Sequence, residues 1–248
     1  MDVHSRRGGD GGETRRGRLF IVSTPIGNLE DISLRALRVL KESDLIAAED
    51  TRHTRKLLSH YDIHTPLTSF YQQQQVRRAP AIVEKMLNGA SVALVSDAGT
   101  PGISDPGWYL VRAAIDAGIE IGAVPGPSAV VTLLSLSGLP TDRFVFEGFL
   151  PLKAGKKRRR LDEISGERRT MVFYESPHRL EKTLAVMVEV FGNRPAAVGR
   201  ELTKLFEEVR RGSLGDLLNS FAGKKVRGEI TIAVAGCERK KPGKKRDG

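Results

Sequence analysis

The sequence predicts an α/β fold in two parts, a mostly parallel sheet over residues 18–138 and a mixed sheet over 139–236. From Leu19 to Val124, short apolar runs alternate with amphipathic stretches, and the runs stop at turn-forming clusters. That alternation gives parallel strands joined by helices on both faces of one sheet. Beyond residue 142 the pattern changes, because 207–212 and 229–235 read as a hairpin partly separated by a helix over 213–221.

Residues 19–22 form a short buried strand ending in the turn Ser23-Thr24-Pro25-Ile26-Gly27-Asn28. Ser33 opens a helix, since its hydroxyl suits an N-cap and Leu34, Leu37 and Leu40 recur at helical spacing. A second strand over 45–48 leads into Glu49-Asp50-Thr51-Arg52 and a helix to about His60. Next come a strand at 67–70, a helix over 75–88 and a strand over 91–95. A helix over 108–117 precedes a strand over 119–124, which ends at Pro125-Gly126-Pro127-Ser128. The hydrophobic helix 129–137 closes this half, and the junction is expected within 136–142. The second half carries strands at 144–146, 171–174 and 196–198. Between them, the basic run 153–160 opens one helix, and Leu180, Leu184, Met187 and Val190 line another.

With 40% apolar and 28% charged residues, the chain has the composition of a globular protein. No apolar run approaches the roughly 18 residues of a membrane span, and no secretory leader pattern precedes the fold. A cytoplasmic location without membrane contact is expected. The single cysteine, Cys237, excludes an internal disulfide and a cysteine metal cluster. The histidines at 4, 53, 60, 64 and 178 show no ligand spacing, so no metal is expected. The net charge of +10 is unevenly spread. Residues 1–18 hold five Arg against three acids, and 237–248 hold six Lys/Arg against two acids. Both ends (1–17 and 237–248) read as flexible basic tails. Lys153, Lys156, Lys157, Arg158, Arg159 and Arg160 form one internal run, without which the interior would be −2. A patch of that kind suits a polyanion such as RNA. Dinucleotide-type G-x-G-x-x-G after a strand, P-loop, H-E-x-x-H and G-x-S-x-G patterns are all missing.

Residues 96–107, Ser-Asp-Ala-Gly-Thr-Pro-Gly-Ile-Ser-Asp-Pro-Gly, carry the most information. They join a buried strand to a helix, where loops usually have only about 2–6 residues. Glycines let backbone approach a ligand, prolines stiffen the loop, and open α/β sheets bind ligands at this end of their strands.

Six segments together resemble a known family: Val22-Ser23-Thr24-Pro25-Ile26-Gly27-Asn28-Leu29; Ala48-Glu49-Asp50-Thr51-Arg52; the 96–107 loop; Val124-Pro125-Gly126-Pro127-Ser128-Ala129; Tyr174-Glu175-Ser176-Pro177-His178-Arg179; and Arg200-Glu201-Leu202-Thr203-Lys204. In this order, over about 19–236, they are similar to the small-subunit ribosomal RNA methyltransferase I branch of the tetrapyrrole methylase superfamily. The resemblance implies two α/β domains of the tetrapyrrole methylase type, with S-adenosylmethionine in the inter-domain cleft, and a homodimer. It also implies methylation of the ribose 2′-hydroxyl of a decoding-region cytidine, with 16S rRNA of the small ribosomal subunit as partner, free or assembled. Cofactor positions carry over to Pro25, Ser96, Asp97, Ala98, Gly99, Ile103, Ser104, Ser128 and Ala129. Tyr174, Leu202, Glu229 and Ile230 follow in the second domain. Thr-Pro-Ile-Gly stands where the superfamily has a Gly-rich first loop. That departure is shared with the rRNA branch and separates the chain from porphyrin and corrin enzymes.

A ribose hydroxyl is a weak acid, so a general base would help its methylation. Glu49, Asp50, Asp105, Glu201 and Lys204 are the candidates, Lys204 only if its pKa is lowered. Arg52, Arg179 and Arg200 suit RNA phosphate, because Arg stays charged and forks onto phosphate oxygens. Alternatively, Glu49, Arg52, Arg200 and Glu201 brace the cleft as ion pairs. Two other functions share the fold: a corrin or porphyrin methyltransferase, and a non-catalytic RNA-binding assembly factor.

Overall fold

The computed structural model describes residues 17–238, so the expected tails at 1–16 and 239–248 lie outside the described residues. At the tail boundaries, Gly17 donates its N–H to the Met86 carbonyl at 2.7 Å, and Cys237 donates to the Glu167 carbonyl at 2.6 Å. Both residues are therefore tied to folded structure rather than to the tails in which the sequence placed them. The chain folds into two compact units: the segment up to Thr24 with Ile32–Gly126, and Pro25–Asp31 with Pro127 onward.

Unit one is the expected parallel sheet. Its strands are β1 (Arg18–Val22), β2 (Leu45–Ala48), β3 (Leu67–Ser69), β4 (Val92–Val95) and β5 (Glu120–Val124), ordered β3-β2-β4-β1-β5. Helices α1 (Leu34–Glu42) and α2 (Thr51–His60) cover one face, packing Val39, Leu40, Leu57 and Leu58 onto Val22, Ile46, Ala93 and Val95. Helices α3 (Gln75–Leu87) and α4 (Trp108–Asp116) cover the other, packing Ile82, Met86 and Leu110 onto Leu19, Ala47, Val92 and Leu94. Successive β4 residues thus feed opposite cores, as the two-residue strand period requires. A strand covered on both faces reads as an unbroken apolar run, which is why Val-Ala-Leu-Val is legible.

The strand order creates the site. Chains leaving β1 and β2 pass to one face, and the chain leaving β4 passes to the other. Because β4 lies between β2 and β1, the chain direction over the sheet reverses on either side of its carboxyl end, the position at which open α/β sheets hold their ligands.

Unit two is the expected mixed sheet. Its strands are β6 (Phe144–Phe149), β7 (Thr170–Glu175), β8 (Pro195–Arg200), β9 (Glu208–Ser213) and β10 (Ile230–Val234), ordered β6-β7-β10-β8-β9. Only β6 and β7 pair in parallel. Its helices are α5 (Ala129–Ser137), α6 (Ala154–Glu163), α7 (Leu180–Phe191) and α8 (Leu214–Phe221). Leu161, Leu184, Met187, Leu214 and Leu217 pack on Phe173, Val198 and Ile232.

Two expectations are corrected here. The hairpin does not form, because β8 lies between β9 and β10. Ile-Thr-Ile-Ala-Val is buried at every position, as a central strand is, whereas Glu-Val-Arg-Arg-Gly-Ser is never fully buried and forms an edge. The junction falls at Gly126 rather than near 138, because α5 packs against β8, β9 and β10. A helix this uniformly apolar needs a sheet to cover it, and unit two supplies that sheet.

Candidate active site

The loops after β1, β2 and β4 meet at the end of β4. Thr24, after β1, exchanges backbone hydrogen bonds with Gly99 at 2.9 and 3.1 Å. Its hydroxyl donates to the Ser96 carbonyl at 3.1 Å, and the Ser23 hydroxyl pairs with that of Thr100 at 2.8 Å. The β4 loop is thereby stitched to β1. On its other flank, Asp97 accepts the Asp50 backbone N–H at 3.0 Å. Ser96 is buried, Asp97, Ala98 and Asp105 are half-buried, and Ile103 and Ser104 are exposed. Ser104 holds φ +63°, a conformation that side-chain-bearing residues seldom adopt unless their surroundings impose it. Sequence reasoning missed Ser23, Thr24 and Thr100; only their position at the strand ends could have flagged them.

The carboxylates divide by environment. Glu49 lies at the end of β2, where burial and the nearby charges of Asp105 and Asp97 push its pKa up to about 7. Asp105 is pushed up to about 6, mainly by burial and partly by Asp97, against a hydrogen bond from Ser96. No described basic side chain forms an ion pair with Glu49, Asp97 or Asp105. Asp50 is different. It caps α2 through Arg52 N–H at 2.8 Å and pairs with the Arg52 guanidinium at 2.8 Å. Those bonds hold its pKa well below the ordinary carboxylate range.

In unit two, the second candidate group surrounds a turn after β8. Lys204 pairs with Glu201 at 2.9 Å and with Glu229 at 3.1 Å, and Glu201 accepts the Glu229 N–H at 2.9 Å. Burial pulls the Lys204 pKa down, but Glu201 and Glu229 outweigh it and hold the ammonium above its usual value. Burial likewise raises Glu201, yet the Glu229 N–H and Lys204 hold it lower on balance. Lys204 therefore lacks the lowered pKa that base catalysis by it requires. Gly27 lies against this turn: a Cβ there would stand 2.3 Å from Lys204 Cγ and 3.0 Å from the Leu202 carbonyl. The glycine of Thr-Pro-Ile-Gly is thus required by close approach. Gly228, at φ +92°, would place a Cβ 2.3 Å from Glu201 Cγ. Gly228→Ala should lower stability by about 1–3 kcal/mol, from backbone strain and displacement of Glu201, as read by urea unfolding.

The remaining cofactor positions are scattered over unit two. Ser128 precedes α5 and Ala129 begins it, while Pro25 lies in the segment that joins this unit. Tyr174 packs on Phe146 and Phe149 at ring distances of 4.9 and 5.5 Å. Leu202 and Ile230 are buried.

The basic run is not the free patch that its sequence suggests. Arg158 pairs with Glu189, Arg159 with Glu163, and Arg160 with Glu147 and Glu163. Lys157 is buried and donates to the Thr183 hydroxyl at 2.5 Å, so it cannot lie on an RNA-facing surface. Lys153 and Lys156 remain exposed on α6 and its cap. Arg179 is also committed: it pairs with the fully buried carboxylate of Glu175 at 2.9 Å and donates to the Leu150 carbonyl. Arg200 pairs with Glu208 at 3.0 Å. Arg52, at 86% side-chain exposure, stays on the surface beside Asp50. The bracing alternative does not take its expected form, since Arg52 and Arg200 find Asp50 and Glu208.

Residues 18–218 match the family described as Tetrapyrrole (Corrin/Porphyrin) Methylases. The chain is 50% identical over 225 residues to Ribosomal RNA small subunit methyltransferase I of Pseudomonas aeruginosa, covering 90% of this chain and 80% of that one. To the protein of the same name from Thermotoga maritima it is 49% identical over 223 residues, covering 90% of this chain and all of that one. The structure of Uroporphyrin-III C-methyl transferase from Thermus thermophilus complexed with S-adenyl homocysteine shares the fold, with a TM-score of 0.61 at 19% identity. That likeness covers 88% of this chain and 97% of the other. The resemblance carried by the six segments is borne out.

Proposed function

The chain belongs to the tetrapyrrole (corrin/porphyrin) methylase family, and from that premise we propose that it methylates small-subunit ribosomal RNA from S-adenosylmethionine. The finer reading is transfer to the 2′-hydroxyl of a decoding-region cytidine in 16S rRNA, in the cytoplasm and by a homodimer. Relatives near 50% identity named for small-subunit rRNA methylation support the substrate class. The structural observation carrying the chemistry is the group of acids at the end of β4, where burial and the nearby charge of Asp97 raise both Glu49 and Asp105 and no described basic side chain pairs with them.

Such uncompensated negative charge fits a cationic ligand, and a sulfonium is one. Ser96, Asp97, Ala98 and Gly99 would hold the cofactor's methionine end, with Ile103 and Ser104 in the following turn. Bound there, the cofactor supplies a methyl group already activated by its positive sulfur, so no metal is needed. Unit one's own task is to position the hydroxyl and accept its proton. Glu49 suits that task best, because its pKa near 7 matches the operating range. Asp105 is the second choice, being less strongly raised. Asp50 and Glu201 are held ionised by their partners and are weaker proton acceptors.

Labelled-methyl transfer tests the reading, with small subunits from cells lacking the protein and uroporphyrinogen in parallel. Label in a 2′-O-methylcytidine supports it, and label in the tetrapyrrole overturns the substrate. Absence of label in both, with the cofactor bound, selects the assembly-factor alternative. For RNA contact, Lys153→Glu with Lys156→Glu should weaken subunit binding and flatten its salt dependence. Arg158→Ala, which removes a residue already paired, should change that slope much less, as read by filter binding across a salt series.

A further inference from the structure

We propose that Trp108, at the start of α4 and three residues beyond Asp105 of the β4 loop, is the platform on which a base of the RNA substrate stacks. This rests on the RNA-methylating reading above. Trp108 is the chain's only tryptophan, and it is 69% exposed. It begins α4, but the buried residues of that helix are Leu110 and Ala114. The indole therefore leaves most of its apolar surface in water, where it contributes little to folding.

Its mounting is rigid. Gly107, at φ +148°, packs so closely that a Cβ there would stand 3.1 Å from Gly102 N and 3.2 Å from Leu94. Tyr109 meets the indole edge-on at 6.5 Å between centroids. Ile103, on the same loop, is 51% exposed and extends the apolar surface.

Electrostatics call for such a platform. Glu49, Asp97 and Asp105 gather acids where no described basic side chain pairs with them, so this edge offers the phosphates of the polymer no counter-charge. Affinity at this edge must come from contacts indifferent to charge. Stacking of an unpaired base on an aromatic ring is the common one, and it tolerates any base.

Steady-state methyl transfer to small ribosomal subunits tests the role, using the full chain. Trp108→Ala should raise KM for subunits about 10- to 100-fold, the scale of one lost stack, and change kcat less. Cofactor affinity by calorimetry and the melting temperature should stay at wild-type values, and Trp108→Phe should recover most of the loss. As the chain's only indole, Trp108 also reports directly. A cytidine-containing oligoribonucleotide should quench its emission, and S-adenosylhomocysteine alone should not. An unchanged subunit KM in Trp108→Ala overturns the proposal. So does a parallel loss of cofactor affinity, which would give the ring to the adenine. Dissociation of a dimer in Trp108→Ala also overturns it, since the ring would then join two copies. A wild-type protein that neither binds nor methylates RNA fails the function itself. Normal wild-type turnover with an indifferent Ala variant fails the platform alone.

Discussion

Glu49→Gln should lower single-turnover methyl transfer by roughly 10²- to 10⁴-fold, the usual contribution of a positioned general base. S-adenosylmethionine binding should survive, because Asp97 and Asp105 remain. The pH profile separates proton transfer from mere positioning. A base must be unprotonated, so wild-type kcat/KM should rise with pH through about 7, the value imposed on Glu49 by burial and its acidic neighbours. A cation bound among those carboxylates favours ionised Glu49, so the acid limb of kcat should lie lower than that of kcat/KM. Glu49→Gln should lose this limb. Equal rates in the variant, or an unchanged limb, would move the role to Asp105. Stability should run the other way. Glu49 binds its proton more tightly in the folded state than at the ordinary value of 4.5, so its ionisation costs native stability as pH rises from about 4.5 to about 7. Glu49→Gln should therefore melt higher than wild type near pH 8 and level with it near pH 4, as calorimetry at both pH values would show.

Glu175→Ala should destabilise the protein by about 3–5 kcal/mol. The Glu175 side chain is fully buried at the end of β7. It pairs with Arg179 at 2.9 Å, accepts the Thr183 hydroxyl at 2.5 Å and stands 3.7 Å from the Lys157 ammonium. Removing it leaves two cations without their counter-charge, one of them nearly as buried as Glu175 itself. Burial already pulls the Lys157 pKa down, against the pull of Glu175. Without that carboxylate it should fall further, so the variant should lose least stability at alkaline pH, where Lys157 sheds its proton. Urea unfolding across pH measures both effects. A loss under about 1 kcal/mol, the scale of an exposed pair, would show the network to be solvated.

Legibility of the sequence varied with the locality of the signal. Ser33 was readable as a helix start because an N-cap needs only its own next turn, whereas Asp50 was not singled out as the cap of α2. The 96–107 loop stood out by length and residue type, and it bonds to the ends of β1 and β2. The difference between Glu49 and Glu201 was not readable. Both are glutamates after a strand, yet one gathers carboxylates and the other a lysine. Nor did the run 153–160 reveal that Lys157 turns inward and that its arginines find glutamates on β6, α6 and α7.

Taken alone, the sequence determined the strand and helix periods, the parallel first half and the family, because each depends on residues close in the chain or on whole motifs. Tertiary structure alone decided that β10 enters the sheet between β7 and β8, that α5 belongs with unit two, and which acids have raised pKa values. Those outcomes depend on groups brought together from distant positions. Burial and neighbouring charge, which set strand order and pKa alike, exist only after folding.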